Sequence, residues 1–454
     1  MSRIAPPALR RTFRALRVPN YRLFWFGQFF SLVGTWMQSV ALSWLVLRVT
    51  DSPLALGTVT MIQYAPTLAF SLFGGALADR LPKRRLLVIT QTVMAIQALA
   101  LAILTSSGHA HLAWVYGLAA VLGIAMAVDS PARQAFVVEM VGQEDLMNAI
   151  ALNSTQFNAA RIVGPALGGV AIAVVGVAGC FYLNAASFLA VIGALLLMRA
   201  DRFFSVPPLE RGGIFAQVSE GVRYAIRTPD IALPFLLIGI IGTFGYNFTV
   251  ILPLIATYVL HAGPVGFGTL LSPFAVGSVI AALAVAYHGR ARRRTLLIGA
   301  AGFSVLLFGL ALASSWLLLV PLLVALGLFS IVFTATANTR LQIVAPPGLR
   351  GRVMGIYSLL FLGSTPIGSI VTGALAQRLG VQPAIALVAT ACILGVVWGL
   401  VYMQRHRAAL LPDQPAVPAT QHEAAPEGLP APPQREDGLW QLLTGWLPQR
   451  AKRP

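Results

Sequence analysis

The amino-acid sequence predicts an all-α membrane protein with twelve transmembrane helices, arranged as two parallel six-helix halves. Three observations predict this fold class: hydrophobic residues make up 57% of the 454 residues, charged residues make up only 10%, and the basic residues fall on alternate sides of the apolar stretches. Ordinary soluble domains carry about 25% charged residues. The composition therefore excludes an ordinary soluble domain.

Twelve apolar stretches supply the predicted spans, because crossing the hydrocarbon core takes about 20 apolar residues of α-helix. The first stretch is longer than the apolar core of a signal peptide, and no small-residue cleavage site follows it, so we expect it to be retained. In chain order the twelve are Leu23–Leu47, Leu54–Ala78, Leu86–Ser106, Leu112–Val138, Ala149–Val175, Cys180–Met198, Ile231–Leu260, Val265–Ala286, Leu296–Ala313, Trp316–Asn338, Val353–Leu379 and Ala384–Met403.

The basic residues predict the orientation of these spans. Of the 32 lysines and arginines, 28 lie in the amino-terminal arm, the even-to-odd connections other than the one after helix 4, and the carboxy-terminal tail. Only Arg48 and Arg378 lie beside the opposite connections, while Arg133 and Arg161 lie inside predicted helices. Because basic loops stay on the cytoplasmic side, we expect both termini to be cytoplasmic. The net charge is +17, and we expect the basic residues to contact the anionic headgroups of membrane lipids and not nucleic acid.

Matching positions in the two halves indicate an internal duplication. Arg133 and Arg340 each lie at the inner end of the fourth helix of a half, and the basic loop Arg80–Arg85 matches Arg290–Arg294. Such repeats are typical of transporters, whose substrate site lies between the halves. In the connection, the apolar spacing of Ile214–Ile226 predicts an amphipathic helix on the inner membrane face. The predicted domains are residues 1–198 (amino-terminal half), 199–230 (cytoplasmic linker), 231–404 (carboxy-terminal half) and 405–454 (disordered cytoplasmic tail).

Polar side chains at helical spacing predict a wet cavity between the halves. Any one of them could instead hydrogen-bond one helix to another, but several stripes together favour a cavity. The side chains predicted to contact a small-molecule substrate are Gln28 and Gln38 in helix 1, Gln63 and Tyr64 in helix 2, and Tyr246 and Asn247 in helix 7.

Arg161 is predicted to lie near mid-bilayer in helix 5, on one face with Ser154 and Asn158. A charge at that depth costs at least a few kcal/mol (about 2.5–3.5 on insertion scales) unless it faces water or a partner. We therefore predict that Asn158 and Arg161 face the cavity, where the arginine would bind an anionic or catecholate-like group. The alternative is that Arg161 only pairs with a neighbour such as Asp129.

The strongest local motif lies at the inner end of helix 2, where Gly75, Asp79, Arg80 and Arg84 fall within eleven residues. The glycine lets another helix approach closely. An acid at a helix carboxy terminus is disfavoured by the helix dipole, so Asp79 requires a cationic or helix amino-terminal partner. We predict that these four residues gate the inner side. A purely topogenic basic loop would explain the arginines but not Gly75 and Asp79.

Two further groups are predicted to take part in gating. Asp129 and Arg133 are four residues apart and can pair on one helix face. Near the inner surface they either extend the contact made by the helix 2 loop or only neutralise each other. In helix 5, Gly164, Pro165 and Gly168 allow close helix packing and a kink.

Several of these motifs resemble the major facilitator superfamily. The helix 2 loop is similar to its signature Gly-x-Leu-Ala-Asp-Arg-x-Gly-Arg-Arg, except that Pro82 and Lys83 replace the second glycine and the following arginine. Helix 5 resembles the Gly-Pro-x-x-Gly-Gly core of the superfamily's exporter motif. Segments similar to the subgroup that contains the enterobactin exporter and related bacterial efflux proteins are Asn20–Gln28, Pro131–Phe136, Asn158–Pro165 and Glu220–Tyr224.

The resemblance covers about residues 18–404 and carries expectations about fold and function. It implies a cavity lined by helices 1, 4, 7 and 10 and flanked by helices 2, 5, 8 and 11. It implies that Asp79 latches onto the opposite half and holds the inner gate shut. It also implies a location in a bacterial inner membrane. There, a monomer that alternates between inward-open and outward-open states would export a siderophore or an amphipathic drug such as a macrolide.

The sequence contains no enzyme constellation and no phosphate-binding loop, so transport is expected to be secondary and to need no cofactor. His109 and His111 lack other clear metal ligands. None of the 15 acids lies near the centre of a helix, which leaves the coupling ion open. Three modes of energy coupling stay open. Asp129 or Glu139 could carry protons, the substrate's own charge could provide the coupling, or the protein could be a weakly coupled facilitator. An importer of the same fold, a lipid scramblase and another non-transporting membrane protein are the alternative functions.

Replacing Asp79 by asparagine should slow transport severely while leaving the protein in the membrane. Loss of the charge unbalances the inward and outward states, and a shift of about 1.4 kcal/mol changes their ratio about tenfold. Transport by Asp79→Asn, normalised to the amount of protein in the membrane, checks this. An unchanged rate would remove the gating role.

Overall fold

The computed structural model describes residues 13–204, 214–288 and 292–406, and all regular structure in these ranges is helical. Ten of the described helical segments are long and apolar enough to cross a membrane. One of the ten, Leu146–Leu197, holds predicted spans 5 and 6, and Pro53–Arg80, which is not among the ten, corresponds to span 2. The predicted all-α membrane fold is therefore confirmed, with about twelve crossings.

The first half is built from six helices. Gly176, with φ 74°, interrupts the long helix Leu146–Leu197, so we treat residues 146–175 as α5 and residues 177–197 as α6. A hydrogen bond from Cys180 Sγ to the Gly168 carbonyl oxygen, at 3.9 Å, shows that α6 folds back along α5. The other four helices are α1 (Pro19–Thr50), α2 (Pro53–Arg80), α3 (Lys83–Ser106) and α4 (Leu112–Val141).

The second half follows an amphipathic linker helix, α7 (Ile214–Arg227), in the position where the sequence predicts one. Its six spans are divided into more pieces than those of the first half. The helices are α8 (Pro229–Gly245), α9 (Phe248–Leu254), α10 (Pro264–Thr269), α11 (Leu271–His288), α12 (Arg293–Leu312), α13 (Trp316–Val344), α14 (Pro347–Gly363), α15 (Thr365–Leu379) and α16 (Val381–Arg405).

Prolines and capping residues set several of the helix boundaries. The Ser52 hydroxyl accepts a hydrogen bond from the Ala55 N–H at 3.2 Å, and Pro53 occupies the first helical position, so α2 begins there. Gly142 (φ 70°) and Gly380 (φ 88°) end α4 and α15 in left-handed backbone conformations that favour glycine. The tight turns that result keep consecutive spans antiparallel.

Three spans of the second half are discontinuous, and this positions the cavity described below. Span 7 breaks between α8 and α9 at Tyr246–Asn247 and continues into a π-helical turn, Ile255–Val259. Span 8 is divided at Leu270 and span 11 at Ser364, but both residues keep right-handed helical backbone angles, so each division is a single-residue interruption of the helical hydrogen bonding. Discontinuous spans in transporters often surround the substrate site, because broken helix ends leave backbone groups free to face a cavity.

Single cysteines in a protein lacking Cys180 and Cys392 should report the predicted orientation. Ser107 lies in the connection between α3 and α4, Ser315 lies between α12 and α13, and Arg223 lies in the linker; all three are exposed. In intact cells we expect Ser107→Cys and Ser315→Cys, but not Arg223→Cys, to react with a membrane-impermeant thiol reagent. The reverse pattern would overturn the orientation.

Candidate functional site

A cavity of about 400 Å³ lies between the two halves. The first half contributes one face of α1 and the middle of α5. The second half contributes the broken spans 7, 8 and 11 together with α13. The lining residues are Trp36, Ser39, Val40, Ser43, Asn158, Arg161, Pro165, Tyr246, Phe248, Thr249, Leu252, Pro253, Phe267, Gly268, Leu271, Phe274, Ser330, Ile331, Thr334, Tyr357, Phe361 and Thr365.

Arg161 supplies a positive charge to this wall from near the middle of α5. Its Nη2 donates to Asn158 Oδ1 at 3.1 Å, on the preceding turn of the same helix. The lining contains no aspartate or glutamate among the described residues, and Asp129, the partner considered from sequence, pairs instead with Arg133. The guanidinium of Arg161 is therefore held by a neutral amide and available to an anionic or oxygen-rich ligand.

Aromatic rings and hydroxyl groups make up much of the rest of the wall. Tyr246 stacks on Phe303 with ring centroids 4.8 Å apart, and its hydroxyl lies 2.8 Å from Ser330 Oγ. The hydroxyls of Ser39 and Ser43 donate to carbonyl oxygens one turn earlier on α1, at 3.2 and 3.0 Å. The cavity thus combines flat apolar surfaces with a few oriented polar groups, as small-molecule sites do.

Three of the predicted substrate-contacting residues, Asn158, Arg161 and Tyr246, lie on the cavity wall. Gln38 instead belongs to a buried network: its Nε2 donates to Gln97 Oε1 at 3.2 Å and its Oε1 accepts from Asn184 Nδ2 at 2.7 Å, joining α1 to α3 and α6. Asn247 is also buried, and its Nδ2 donates to the Thr243 carbonyl at 2.6 Å within the span 7 break.

The remaining predicted contacts come from the inner part of helix 1 and from helix 2. Gln28 and Gln63 are buried, and Tyr64 is half-buried. The Gln63 carbonyl packs against Gly123 of α4, so this part of α2 contacts a neighbouring helix. Five of the predicted substrate-contacting residues are not part of the described cavity wall: Gln28, Gln38, Gln63, Tyr64 and Asn247. Their contact with substrate stays a prediction.

The predicted gating pair Asp129–Arg133 is present inside the first half. Asp129 is 1% exposed, and its Oδ1 accepts hydrogen bonds from Thr90 Oγ1 at 2.8 Å and Gln91 Nε2 at 2.9 Å. Its Oδ2 binds Arg133. The buried carboxylate is thus fully engaged between α3 and α4, which satisfies a group that would be costly to bury alone.

The helix 2 loop is described only in part. Gly75 and Asp79 lie in α2, but the surroundings of Gly75 and the side chain of Asp79 fall outside the described residues, as does the tail beyond residue 406. Arg80 is exposed. Arg84 donates to the carbonyl oxygens of Leu195 and Leu196 at 2.6 and 2.8 Å, which caps the carboxy terminus of α6.

The predicted gating residues of helix 5 lie at close helix crossings. A methyl group on Gly164 would lie 2.5 Å from Trp36 Cβ, and one on Gly168 would lie 3.3 Å from Met37 Cα, so both glycines admit α1. On the other side of α5, a methyl group on Gly268 would lie 2.5 Å from the Pro165 carbonyl oxygen. Pro165 therefore marks where α5 of the first half meets α10 of the second.

This contact between halves is built from glycine on both sides. A methyl group on Gly169 would approach Gly268 Cα to 3.0 Å. A second glycine pair joins the other two contacting spans: a methyl on Gly57 of α2 would lie 3.1 Å from Gly373 Cα of α15, and the converse distance is also 3.1 Å. We call these two contacts the glycine crossings. They occupy equivalent positions in the duplicated halves, on spans 2 and 5 of one and 8 and 11 of the other.

Polar contacts extend the association at the end predicted to face outward. Tyr258 Oη donates to Asp51 Oδ1 at 2.8 Å, and Ser52 Oγ donates to Gln377 Oε1 at 2.7 Å. At the opposite end, the ion pairs Lys83–Glu139, at 2.8 Å, and Arg293–Asp230, at 2.9 Å, each lie within one half. The described contacts between halves thus concentrate on the side of the cavity that is predicted to face outward.

A comparison with known families decides the classification. Residues 10–424 match the major facilitator family described as transmembrane secretion effector. The chain belongs to this family. The resemblance drawn from the helix 2 and helix 5 motifs is thereby confirmed, and so is the expectation that the protein is a transporter and not an enzyme.

Relatives of this transporter align over nearly their whole length. It is 27% identical to the multidrug efflux pump Tap of Mycolicibacterium fortuitum, over 84% of this chain and 95% of that protein. It is 26% identical to the staphyloferrin A transporter of Staphylococcus aureus, over 82% and 94%. It is also 26% identical to the enterobactin exporter EntS of Shigella boydii, over 87% and 95%.

Solved structures agree on the fold. The transporter superposes on the inward-facing, unoccupied crystal structure of a bacterial homologue of the lysosomal transporter Spinster with a TM-score of 0.65 and 13% identity, over 86% of this chain and 97% of that one. At this identity the likeness concerns the fold alone.

Much of the cavity wall was missed from sequence, although part of it left a signal. Trp36, Ser39 and Ser43 follow one face of helix 1 at helical spacing, adjacent to the predicted face that contains Gln28 and Gln38. Glycine and proline near the breaks of spans 7 and 11 could have pointed to Phe248 and Thr365. The aromatic residues that span 8 contributes to the wall, Phe267 and Phe274, left no signal that separates them from ordinary helix packing.

Replacing Gly268 by alanine should prevent the glycine crossing between α5 and α10 from closing. The added methyl group would meet backbone atoms that cannot give way, at a cost of about 1–3 kcal/mol, or roughly 5- to 150-fold in the ratio of the two states. Spin labels on cysteines at Ser107 and Ser315, measured by pulsed electron resonance, should show a new longer distance.

Gly239→Ala is the matched control, because nothing lies within 4 Å of its added methyl group. It should keep the parent distance distribution. A parent-like distribution in Gly268→Ala would show that the crossing does not depend on glycine.

Proposed function

We propose that this transporter is a secondary exporter that moves a small amphipathic molecule, a siderophore or a drug, out of the bacterial cell by alternating access. The observation that carries the proposal is the cavity between the halves, in which Arg161 faces aromatic and hydroxyl groups. The relatives are named for drug efflux and siderophore transport, which supports the same substrate range. The family description as a secretion effector supports export over import.

In the proposed cycle, substrate enters from the cytoplasmic side, with both termini on that side and the protein in the inner membrane. Aromatic surfaces such as Trp36 and Phe361 take up flat apolar parts of the substrate, and Arg161 binds an anionic or oxygen-rich group. Pairing removes the cost of closing an arginine into a cavity without a counter-charge. Closure of the inner side then becomes easier when substrate is bound.

In this cycle we assign the glycine crossings to the outer gate, the contact that closes the cavity on its outward side. Backbone contacts between glycines allow close approach and exclude lipid and water without interdigitating side chains. Opening them breaks few specific interactions beyond the hydrogen bonds Tyr258–Asp51 and Ser52–Gln377. Inner closure, in turn, is the role proposed for the helix 2 loop with Asp79.

Efflux measured in a strain that lacks its own exporters tests the proposal. A panel of siderophores and antibiotics, including enterobactin and a macrolide, should contain at least one compound whose cellular accumulation falls when the protein is expressed. Increased accumulation would indicate an importer. No change for any compound, together with lipid flipping in liposomes, would indicate the scramblase alternative.

Arg161 should set substrate choice from the cavity wall. Arg161→Lys keeps the charge but loses the planar donor fork, and Arg161→Ala loses both, so binding should weaken in the first and weaken further in the second. Loss of a paired charge typically costs 2 kcal/mol or more, or roughly thirtyfold in dissociation constant. Titration of a confirmed substrate into purified variants measures this.

Arg48→Ala is the matched control, since it removes the same charge from the exposed outer end of α1 and should leave binding unchanged. If the parent, Arg161→Lys and Arg161→Ala all bind substrate equally, the assignment of this residue to the substrate site is wrong.

A further inference from the structure

A second cavity lies at the end of the protein that is predicted to face outward, apart from the cavity that contains Arg161. We propose that this outer cavity binds a membrane lipid whose headgroup joins a primary ammonium to a phosphate, and that the bound lipid holds the outer contact between the halves closed. The effect on the contact rests on the alternating access of the proposed function, whereas the lipid site itself does not.

The outer cavity has a volume of about 390 Å³ and takes its wall from both halves. The first half contributes Asp51 and Pro53, where α1 ends and α2 begins. The second half contributes Tyr258 from the π-helical turn, and Gln377 and Gln382 from either side of the turn between α15 and α16. Cavities of roughly 300–1,000 Å³ accept drug-sized ligands, so the smaller headgroup of a lipid fits.

Asp51 gives this cavity its preference for a cation. Its carboxylate is exposed and accepts a hydrogen bond from Tyr258 Oη at 2.8 Å. Since a carboxylate has about four acceptor sites, an ammonium can bind beside the phenol. Both α1 and α15 end at the cavity, and the partial negative charge of a helix carboxy terminus also favours a cation. A primary ammonium, which donates hydrogen bonds, suits this position better than a trimethylammonium group, which donates none.

Arg378 places a positive charge on the same rim. Ser52 Oγ donates to Gln377 Oε1 at 2.7 Å, and this hydrogen bond holds the residues next to them, Asp51 and Arg378, at one edge of the cavity. Arg378 is exposed in the last turn of α15. A guanidinium binds phosphate through two parallel hydrogen bonds. The neighbouring opposite charges therefore match a headgroup in which an ethylene linker joins an ammonium to a phosphate.

The surroundings of the cavity favour a lipid over a soluble ligand. Large apolar side chains are exposed on the helical turns that border it, namely Val49 near the end of α1, Leu54 at the start of α2 and Leu379 at the end of α15. At the ends of membrane-spanning helices such side chains face acyl chains. A lipid of the outer leaflet can thus place its headgroup in the cavity and its chains against these residues.

The composition of the wall couples lipid binding to the outer contact. Asp51 belongs to the first half, while Tyr258 and Gln377 belong to the second, so the cavity exists only while the halves touch at this end. A lipid that binds the assembled cavity and not its separated walls shifts the equilibrium toward the closed contact. Couplings of this kind typically change the ratio of two states about 5- to 150-fold.

Native mass spectrometry of the purified full-length protein tests the lipid site, with phosphatidylethanolamine and phosphatidylcholine of equal chain length as probes. The parent should retain phosphatidylethanolamine in preference. Asp51→Asn should retain roughly tenfold less of it, because a hydrogen-bonded charge is lost. The asparagine carboxamide still accepts the hydrogen bond from Tyr258, and asparagine tolerates the left-handed backbone at this position, where φ is 45°.

Asp201→Asn is the matched control, because it removes an exposed acid from the segment after α6 and should retain lipid as the parent does. Arg378→Gln should reduce retention as well, since it removes the guanidinium assigned to the phosphate. Equal retention by the parent and Asp51→Asn, or no preference of the parent for phosphatidylethanolamine, would overturn the lipid site. Parent-like retention by Arg378→Gln would overturn the phosphate assignment.

Spin labels on cysteines at Ser107 and Ser315, in a protein lacking Cys180 and Cys392, test the effect on the outer contact. In nanodiscs, replacing phosphatidylcholine by phosphatidylethanolamine should raise the ratio of shorter to longer distances about fivefold or more in the parent, and not in Asp51→Asn. Soluble phosphoethanolamine added to phosphatidylcholine nanodiscs should leave the ratio unchanged. A shift produced by this compound would assign the cavity to a soluble ligand and overturn the lipid.

Gly268→Ala supplies the reference for the longer distance and separates the two ways in which the lipid effect can fail. If Gly268→Ala gives the longer distance and phosphatidylethanolamine leaves the parent unchanged, the lipid's effect on the contact is overturned and the proposed function stands. If neither the substitution nor the lipid changes the distance, alternating access is contradicted together with that effect. The retention measurements decide the lipid site in both cases.

Discussion

A guanidinium near the middle of a membrane-spanning helix must be hydrated or paired, and the arrangement around Arg161 follows from that constraint. Water can reach this depth only through a cleft between the two halves. Tyr246, Ser330 and Thr334 of the facing half supply hydroxyls to the wall opposite α5. Because Arg161 is held by Asn158 and not by a carboxylate, its charge stays available to a ligand. A structural ion pair at the same depth would have removed it from any binding role.

The glycine crossings join the two halves beside this cleft. In the proposed cycle, the two halves separate on one side of a charged cavity and need a contact that seals the other side. Gly169 with Gly268, and Gly57 with Gly373, allow backbones to meet there with little side-chain volume to rearrange. The duplication places one crossing on each side of the cavity, so this contact between the halves is approximately symmetric even though the discontinuous spans 7, 8 and 11 belong to one half only.

The sequence predicts the helices well and the site only partly, for physical reasons. Hydropathy and basic loops identify the spans because lipid demands long apolar helices whose backbone groups are satisfied internally. The choice of cavity face is harder, as Gln38 and Ser39 show. The carboxamide of Gln38 can both donate and accept hydrogen bonds across helices, and it forms a buried network with Gln97 and Asn184. The Ser39 hydroxyl bonds its own helix and can line a cavity.

Other parts of the site depend on contacts between residues far apart in the chain. The glycines of the helix 5 motif could be read as packing residues, but nothing local indicates that Gly268 is the residue opposite Gly169. Likewise, the four-residue spacing of Asp129 and Arg133 predicts their pairing, whereas the hydrogen bonds from Thr90 and Gln91 depend on how α3 packs against α4. Arg161 is the most informative residue of the sequence. The free energy needed to place its charge in lipid is high whichever residues lie opposite it, so a hydrated or paired position can be predicted without knowing the long-range contacts.

The accessibility of position 158 tests the central claim most directly. Asn158 is exposed and adjoins Arg161 on the cavity wall, so Asn158→Cys, in a protein lacking Cys180 and Cys392, reports whether this depth of α5 faces water. In inside-out vesicles a membrane-impermeant thiol reagent should modify it quickly, and a confirmed substrate should protect it. Absence of modification, or modification that substrate leaves unchanged, would contradict a hydrated substrate cavity at Arg161.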